Sequence, residues 1–326
     1  YLISAPLQIV SVHGFHMYGD GELSRIVVKT GSALSSAVEI NGSYRGRFEN
    51  FVVFGLGTAT VTDAIRVDWD HPVVTSQASS SGNILSGISI RNLKYVHGIA
   101  LGTRTQNYQD DNIVIEKCVV TSSGSWTPGE TTWWQAGFAT GDGFSGNVLN
   151  HYYSNVFAAY NRYNFLFNGG CNASVTNFDS GHAEVDFYAI GSSTLSIRNG
   201  RSESSTRLYE EPGGASYGRD VSFADVLWTS ADLNGDNHVI VKGYTGSLSL
   251  ENVFITQLSA APNIYVSNAA GRRTGVFLQG VTSRTAAASF VIANGTSQIA
   301  INNQNYNVIN SSGQIDDVLN YEARVN

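Results

Sequence analysis

The feature that most limits what this chain can fold into is a short unit that returns along its length. It reads apolar, any, apolar, any, Asn (or Gly or Asp), then apolar or small, any, apolar or small. It is clearest at Val175, Asn177, Phe178 and Ser180, and again at Leu195, Ile197, Asn199, Gly200 and Ser202. Forward, it continues through Val221, Phe223, Asp225, Val226 and Trp228, and then through Leu248, Leu250, Asn252, Val253 and Ile255. Val276, Leu278, Gly280 and Val281 follow, with a fainter Ile299, Ile301 and Asn303. Backward, it runs through His151 to Ala158 about Asn155, Ile113 to Val120 about Lys117, and Ile88 to Tyr95 about Asn92. Phe51 to Leu56 about Gly55 and Val10 to Met17 about Gly14 complete the series. Successive units lie roughly 22 to 28 residues apart except where an insertion intervenes.

Alternation of period two on both sides of one Asn or Gly describes two short strands meeting at a bend, with the bend residue left-handed. One such corner cannot bury its apolar side chains alone, whereas stacking coil on coil buries a continuous core. The expected fold is all-β, a right-handed parallel β-helix of about ten coils with one long aromatic-rich insertion, and the corner Asn residues are expected to hydrogen-bond along the stack. No linker composition interrupts residues 1–326, so a single domain is expected, with 286–326 as terminal coils or an end cap. The start at Tyr1 without Met suggests a processed or excised piece.

A net charge of −7 with only four Lys argues against a nucleic-acid partner, whose phosphates demand a basic stripe. No apolar run approaches a membrane span. Cys118 falls at an inward position and Cys171 two units later, too far apart to bridge, so buried free thiols are expected. The sequons at Asn41, Asn172, Asn294 and Asn310 read as turn and ladder residues.

The opening LQIVSVHGFHMYGDG, the middle FATGDGFSGNVL and the stretch IRNGRSESSTRLYE resemble the pectate-lyase superfamily of parallel β-helices, of the phage tailspike and secreted polysaccharide depolymerase type. The resemblance covers most of the chain as an architecture. It implies an extracellular or virion location, a polysaccharide partner and a homotrimer, and it implies a capping segment ahead of the first coil that is missing here. The stretch TDAIRVDWDH, with Asp63, Asp68 and Asp70, is similar to the strand on which pectate lyases bind calcium; the alternative is a solvated strand end, and no cofactor is otherwise expected.

Two stretches carry the candidate chemistry. Ser122 to Asn147 is the large insertion and holds Trp126, Trp133, Trp134, Phe138 and Phe144; flat aromatic faces on a projecting loop suit sugar rings, a neighbouring subunit or internal packing. Trp126, Trp133, Trp134 and Arg207 are the candidate carbohydrate-binding residues. Around the central repeats, offsets of two and four from each corner Asn face outward. That places Asp179 and Arg201 in one column, with Glu203 two residues farther and the Asp179 and Glu203 Cα atoms roughly 8 Å apart. Two carboxylates at that reach suit general acid and base for glycoside hydrolysis, with Arg201 separating their protonation states. His182 and Glu184 join them as candidate catalytic residues, with Asp186, Arg207, Glu210 and Glu211 around them. An endo-glycosidase or lyase, a non-catalytic adhesin or receptor-binding tail protein, and a structural tail component all remain open on these residues.

Overall fold

The computed structural model describes residues 1–68, 81–102, 110–122, 126–141, 148–168, 172–190, 194–212, 219–229, 239–243, 246–256, 264–267, 274–283, 290–294, 297–302, 307–310 and 315–320. Packing divides the chain into two compact units, Tyr1–Ala183 and Glu184–Asn326. Each is a parallel β-helix, and each is described by itself.

In the first unit one sheet takes a single strand from every coil. Leu7–Val10, Ala33–Asn41, Thr60–Asp68, Lys94–Leu101, Ala136–Thr140 and Tyr163–Asn168 pair in parallel in that order. Ile9, Ile40, Val67, Leu101, Thr140 and Phe167 therefore stand in one row. The second sheet is bent, because each coil gives it two short strands on either side of a corner. Arg47–Glu49 and Val52–Gly55 make one such pair, Ile84–Ser86 and Ser89–Arg91 the next, and Val114–Glu116 with Val119–Thr121 the third. His151–Ser154 with Phe157–Ala159 follows, and Ala173–Gly181 then runs unbroken through the same corner.

The corner is where sequence and backbone meet. Register places Asn50, Gly87, Lys117, Asn155 and Asn177 above one another, and all five are left-handed, with φ between 52° and 62°. A left-handed residue turns its N–H along the stack. Asn50 N donates to Ser86 O at 2.9 Å, Gly87 N to Glu116 O at 3.0 Å and Lys117 N to Ser154 O at 3.0 Å, so the ladder passes the bend without a break. At Gly87 a Cβ would lie 2.3 Å from the Asn50 side-chain oxygen, which reserves that step for glycine.

Inward positions on both sides of the corner form the core. Leu85, Ile115 and Tyr153 make one row and Ile90, Val120 and Ala158 another, each residue at most 1% exposed. Burying a large aliphatic side chain of this kind contributes about 1.5 to 3 kcal/mol. At Gly98 the facing sheets come so close that a Cβ would lie 2.3 Å from Val120 Cγ1. Cys118 is buried in the same interior as a free thiol; Cys171 lies outside the described residues.

The second unit repeats the plan. Thr194–Glu203, Asp220–Thr229, Gly246–Thr256, Thr274–Gln279, Ser297–Asn302 and Ile315–Asn320 pair in parallel, with Leu195, Val221, Leu248, Val276, Ile299 and Val318 in one row. Asn199, Asp225, Asn252 and Gly280 form its left-handed corner column. The expected side-chain ladder is seen between Asn252 and Asp225, where Asn252 Nδ2 donates to Asp225 Oδ1 at 3.1 Å. Past Ala286, Phe290–Asn294 and Asn307–Asn310 carry the single-strand sheet onward in parallel.

Three corners differ from the expectation. Asn92 is left-handed but belongs to the next bend, in register with Gly55, whose carbonyl accepts from Asn92 Nδ2 at 2.9 Å. The corner of that coil is Gly87, and that of the coil before it is Asn50. Gly55 itself ends a strand and is absent from the left-handed residues. Gly14 is left-handed at another bend, its N–H donating to Tyr44 O beside the His13 to Tyr44 bridge. Leu56 and Phe15, read as inward, are exposed. Alternating apolar residues flank more than one corner of a coil, so period two alone does not say which corner an Asn or Gly occupies.

Candidate functional site

Residues 126–135, ahead of the strand Ala136–Thr140, build an aromatic ledge on the first unit. Its turn is organised by Glu130. Glu130 N donates to Thr127 O at 2.9 Å, and the carboxylate accepts from the backbone amides of Thr132 at 2.6 Å and Trp133 at 3.1 Å. Those two amides hold the carboxyl below the usual range, and the nearby Lys94 charge adds to the effect. The Glu130 carbonyl in turn accepts from Trp126 Nε1 at 3.0 Å and Gln135 Nε2 at 3.3 Å.

Trp133 and Trp134 therefore sit on a tied backbone, both half-buried. Trp134 is left-handed, and its indole N–H donates to Leu93 O at 3.3 Å. Lys94 comes from the adjoining strand with its ammonium 5.1 Å from the Trp133 ring centre and 5.7 Å from that of Trp134. The Arg162 guanidinium lies 5.0 Å over the Tyr163 ring, and the Arg162 backbone N–H donates to Trp134 O at 2.8 Å.

Of the three roles open to the aromatics of this insertion, Phe138 takes internal packing. The insertion is interrupted by the strand Ala136–Thr140, and Phe138 is a core residue, 1% exposed and stacked on Phe165 at 5.1 Å, because it falls on an inward position of that strand. Phe144 lies outside the described residues.

The expected catalytic residues are distributed over both units. In the first, Asp179 is half-buried and in register with Phe157. His182 is a left-handed corner residue with its ring stacked on Tyr160, 4.5 Å between centroids and 4° between planes; Tyr160 is the left-handed residue in register with it.

In the second unit, Arg201 Nη1 pairs with Glu203 Oε1 at 3.1 Å, and both side chains are about half exposed, at 50% and 48%. Arg207 pairs with Glu210, so its guanidinium already has a carboxylate partner. Glu184 is half-buried, and its carbonyl accepts from Arg207 N at 3.0 Å.

Asp186 and Glu211, expected around the candidate catalytic residues, are fully buried. Ser202 Oγ donates to Asp186. Glu211 accepts from the Tyr209 hydroxyl and from Lys242 Nζ at 2.9 and 3.1 Å, with Arg219 Nε 3.6 Å away. Burial pushes Lys242 below the usual lysine range while the Glu211 charge opposes the shift. These groups hold the interior together, since charges taken out of water must be paired.

A second ionisable group, buried on the single-strand sheet of the first unit, was not legible in the sequence. Asp63 Oδ1 lies 2.8 Å from His97 Nδ1. Arg66 Nη2 lies 3.1 Å from Glu39 Oε1 and Arg66 Nε 3.8 Å from Asp68 Oδ2, while Asn41 and Gln8 also donate to Glu39. Asp63 and Asp68 thus face different partners, and Asp70 lies outside the described residues. Among the described residues no three His, Cys, Asp or Glu side chains converge to hold a metal. Glu39 and Arg66 are 27 residues apart and Asp63 and His97 are 34 apart. Comparison of positions one coil apart would have revealed both pairs.

No protein-family model matches this chain, and no curated protein matches it. Among solved structures, the chain is similar to the gp42 tailspike of Acinetobacter phage vb_AbaP_AS12, with a TM-score of 0.44 and 9% identity over 92% of this chain. The chain spans 60% of that tailspike's length.

Proposed function

We propose that this protein is a polysaccharide-binding β-helix of a virion tail or another extracellular surface, and that the ledge of Trp133 and Trp134 carries its saccharide contact. The supporting observation is the combination of partial exposure with a backbone fixed by Glu130, since a rigid aromatic loses little freedom when a sugar ring stacks on it. Replacing Trp133 and Trp134 by Ala is expected to weaken binding in affinity electrophoresis by about 1 to 3 kcal/mol per ring, by analogy with base stacking. Retention unchanged in the double variant would overturn the assignment.

A second reading, cleavage of the bound polysaccharide, is favoured by the exposed carboxylate of Glu203 beside Arg201. In it Glu203 exchanges a proton with the glycosidic oxygen or with an attacking water, the role of one of the two carboxylates that such hydrolysis uses. Glu203→Gln should lower the release of reducing ends at least about a hundredfold while binding persists. Wild-type protein that binds and releases no reducing ends leaves an adhesin.

A further inference from the structure

We propose that the ledge selects saccharides bearing an anionic substituent, with Lys94 as the residue that recognises it; this rests on the ledge being the binding surface. Lys94 is one of only four lysines in a chain of net charge −7. Lys242 is buried against Glu211, Lys117 is a corner residue and Lys29 is exposed at the end of a strand, whereas Lys94 is set against two aromatic rings.

Its ammonium touches ring faces and makes no ion pair among the described residues. A ring face attracts a cation without supplying a hydrogen-bond acceptor of carboxylate strength, so the ammonium keeps donors for a ligand. The nearby carboxylate, Glu130, is occupied by the Thr132 and Trp133 amides. Arg162 lies over Tyr163, and its guanidinium donates to Gln135 Oε1 at 3.5 Å, next in sequence to Trp134. A flat apolar surface with a cation at its edge matches a sugar ring that carries a carboxylate or sulfate. A neutral sugar would gain the stacking and forgo the charged hydrogen bond.

The test measures retention of the whole chain in gels containing polygalacturonate, dextran sulfate or unmodified dextran, with wild type, Lys94→Gln, Lys94→Arg and Trp133→Ala compared at equal salt. Wild type should be retarded by at least one of the two anionic polymers and not by dextran. The anionic polymer that retains it identifies carboxylate or sulfate as the substituent. Lys94→Gln should lose at least about tenfold in affinity, Lys94→Arg should keep most of it, and Trp133→Ala should lose it as well. Trp133-dependent retention on dextran that Lys94→Gln leaves unchanged would overturn the charge selection and keep the binding ledge. Equal retention of all four proteins on the anionic polymers, or no retention on any polymer, would overturn both.

Discussion

Lys117 stands in a left-handed corner at φ 54°, a position where every other member of its column is Asn or Gly. A side chain that cannot bond locally is strained there, so Lys117→Asn should stabilise the protein by about 0.5 to 1 kcal/mol, read from the midpoint of denaturant unfolding. A lower midpoint would mean that the lysine stem packs usefully over the corner. The corners also show how far residues can be read without coordinates. Asn155, Asn177, Asn199, Asp225 and Asn252 were legible because each is flanked by inward residues on both sides. Asn50 and Gly87 were not, because the apolar run after each also fits the next bend, at Gly55 and Asn92. That ambiguity is physical, since one coil has several corners and all of them favour the same few residues.

At the scale of elements, long-range partners lie one coil apart, and no local pattern encodes a separation that varies with every loop. The Glu211 cluster is the most demanding of these. Glu211→Ala would leave Lys242 and Arg219 buried without their carboxylate, and should cost about 3 to 5 kcal/mol in chemical denaturation. Restoring neutrality by also replacing Lys242 with Met should recover part of that loss; no recovery would show that packing, rather than charge, sets the penalty.

The ledge has its own dependence on pH. Glu130 has its carboxyl lowered in the folded protein, so its hold on the loop is present above the ordinary value of 4.5 and is lost as pH falls through the lower folded value. Tryptophan emission should therefore change on acidification below about pH 4.5, and Glu130→Gln should abolish that step. An identical titration in Glu130→Gln would assign the change elsewhere.

For the molecule as a whole, the recurrent unit made the architecture legible, because only a stack buries the apolar faces of so many short strands. Where binding occurs was legible in part: Trp133 and Trp134 stood out by composition, whereas Lys94, a strand residue far from them in sequence, did not. The tailspike-like reading carries the expectation of a parallel homotrimer. Light scattering should give about three times 35.0 kDa, and a clean monomer at micromolar concentration would count against it.

The most direct measurement is fluorine NMR of fluorotryptophan-labelled protein titrated with the polysaccharide that retains it. The chain has five tryptophans, and single Trp→Phe variants assign their signals. The resonances of Trp133 and Trp134 should shift with the bound fraction, while that of Trp228, fully buried in the core, stays in place. Saturable binding that moves neither ledge resonance would contradict the assignment of the saccharide site.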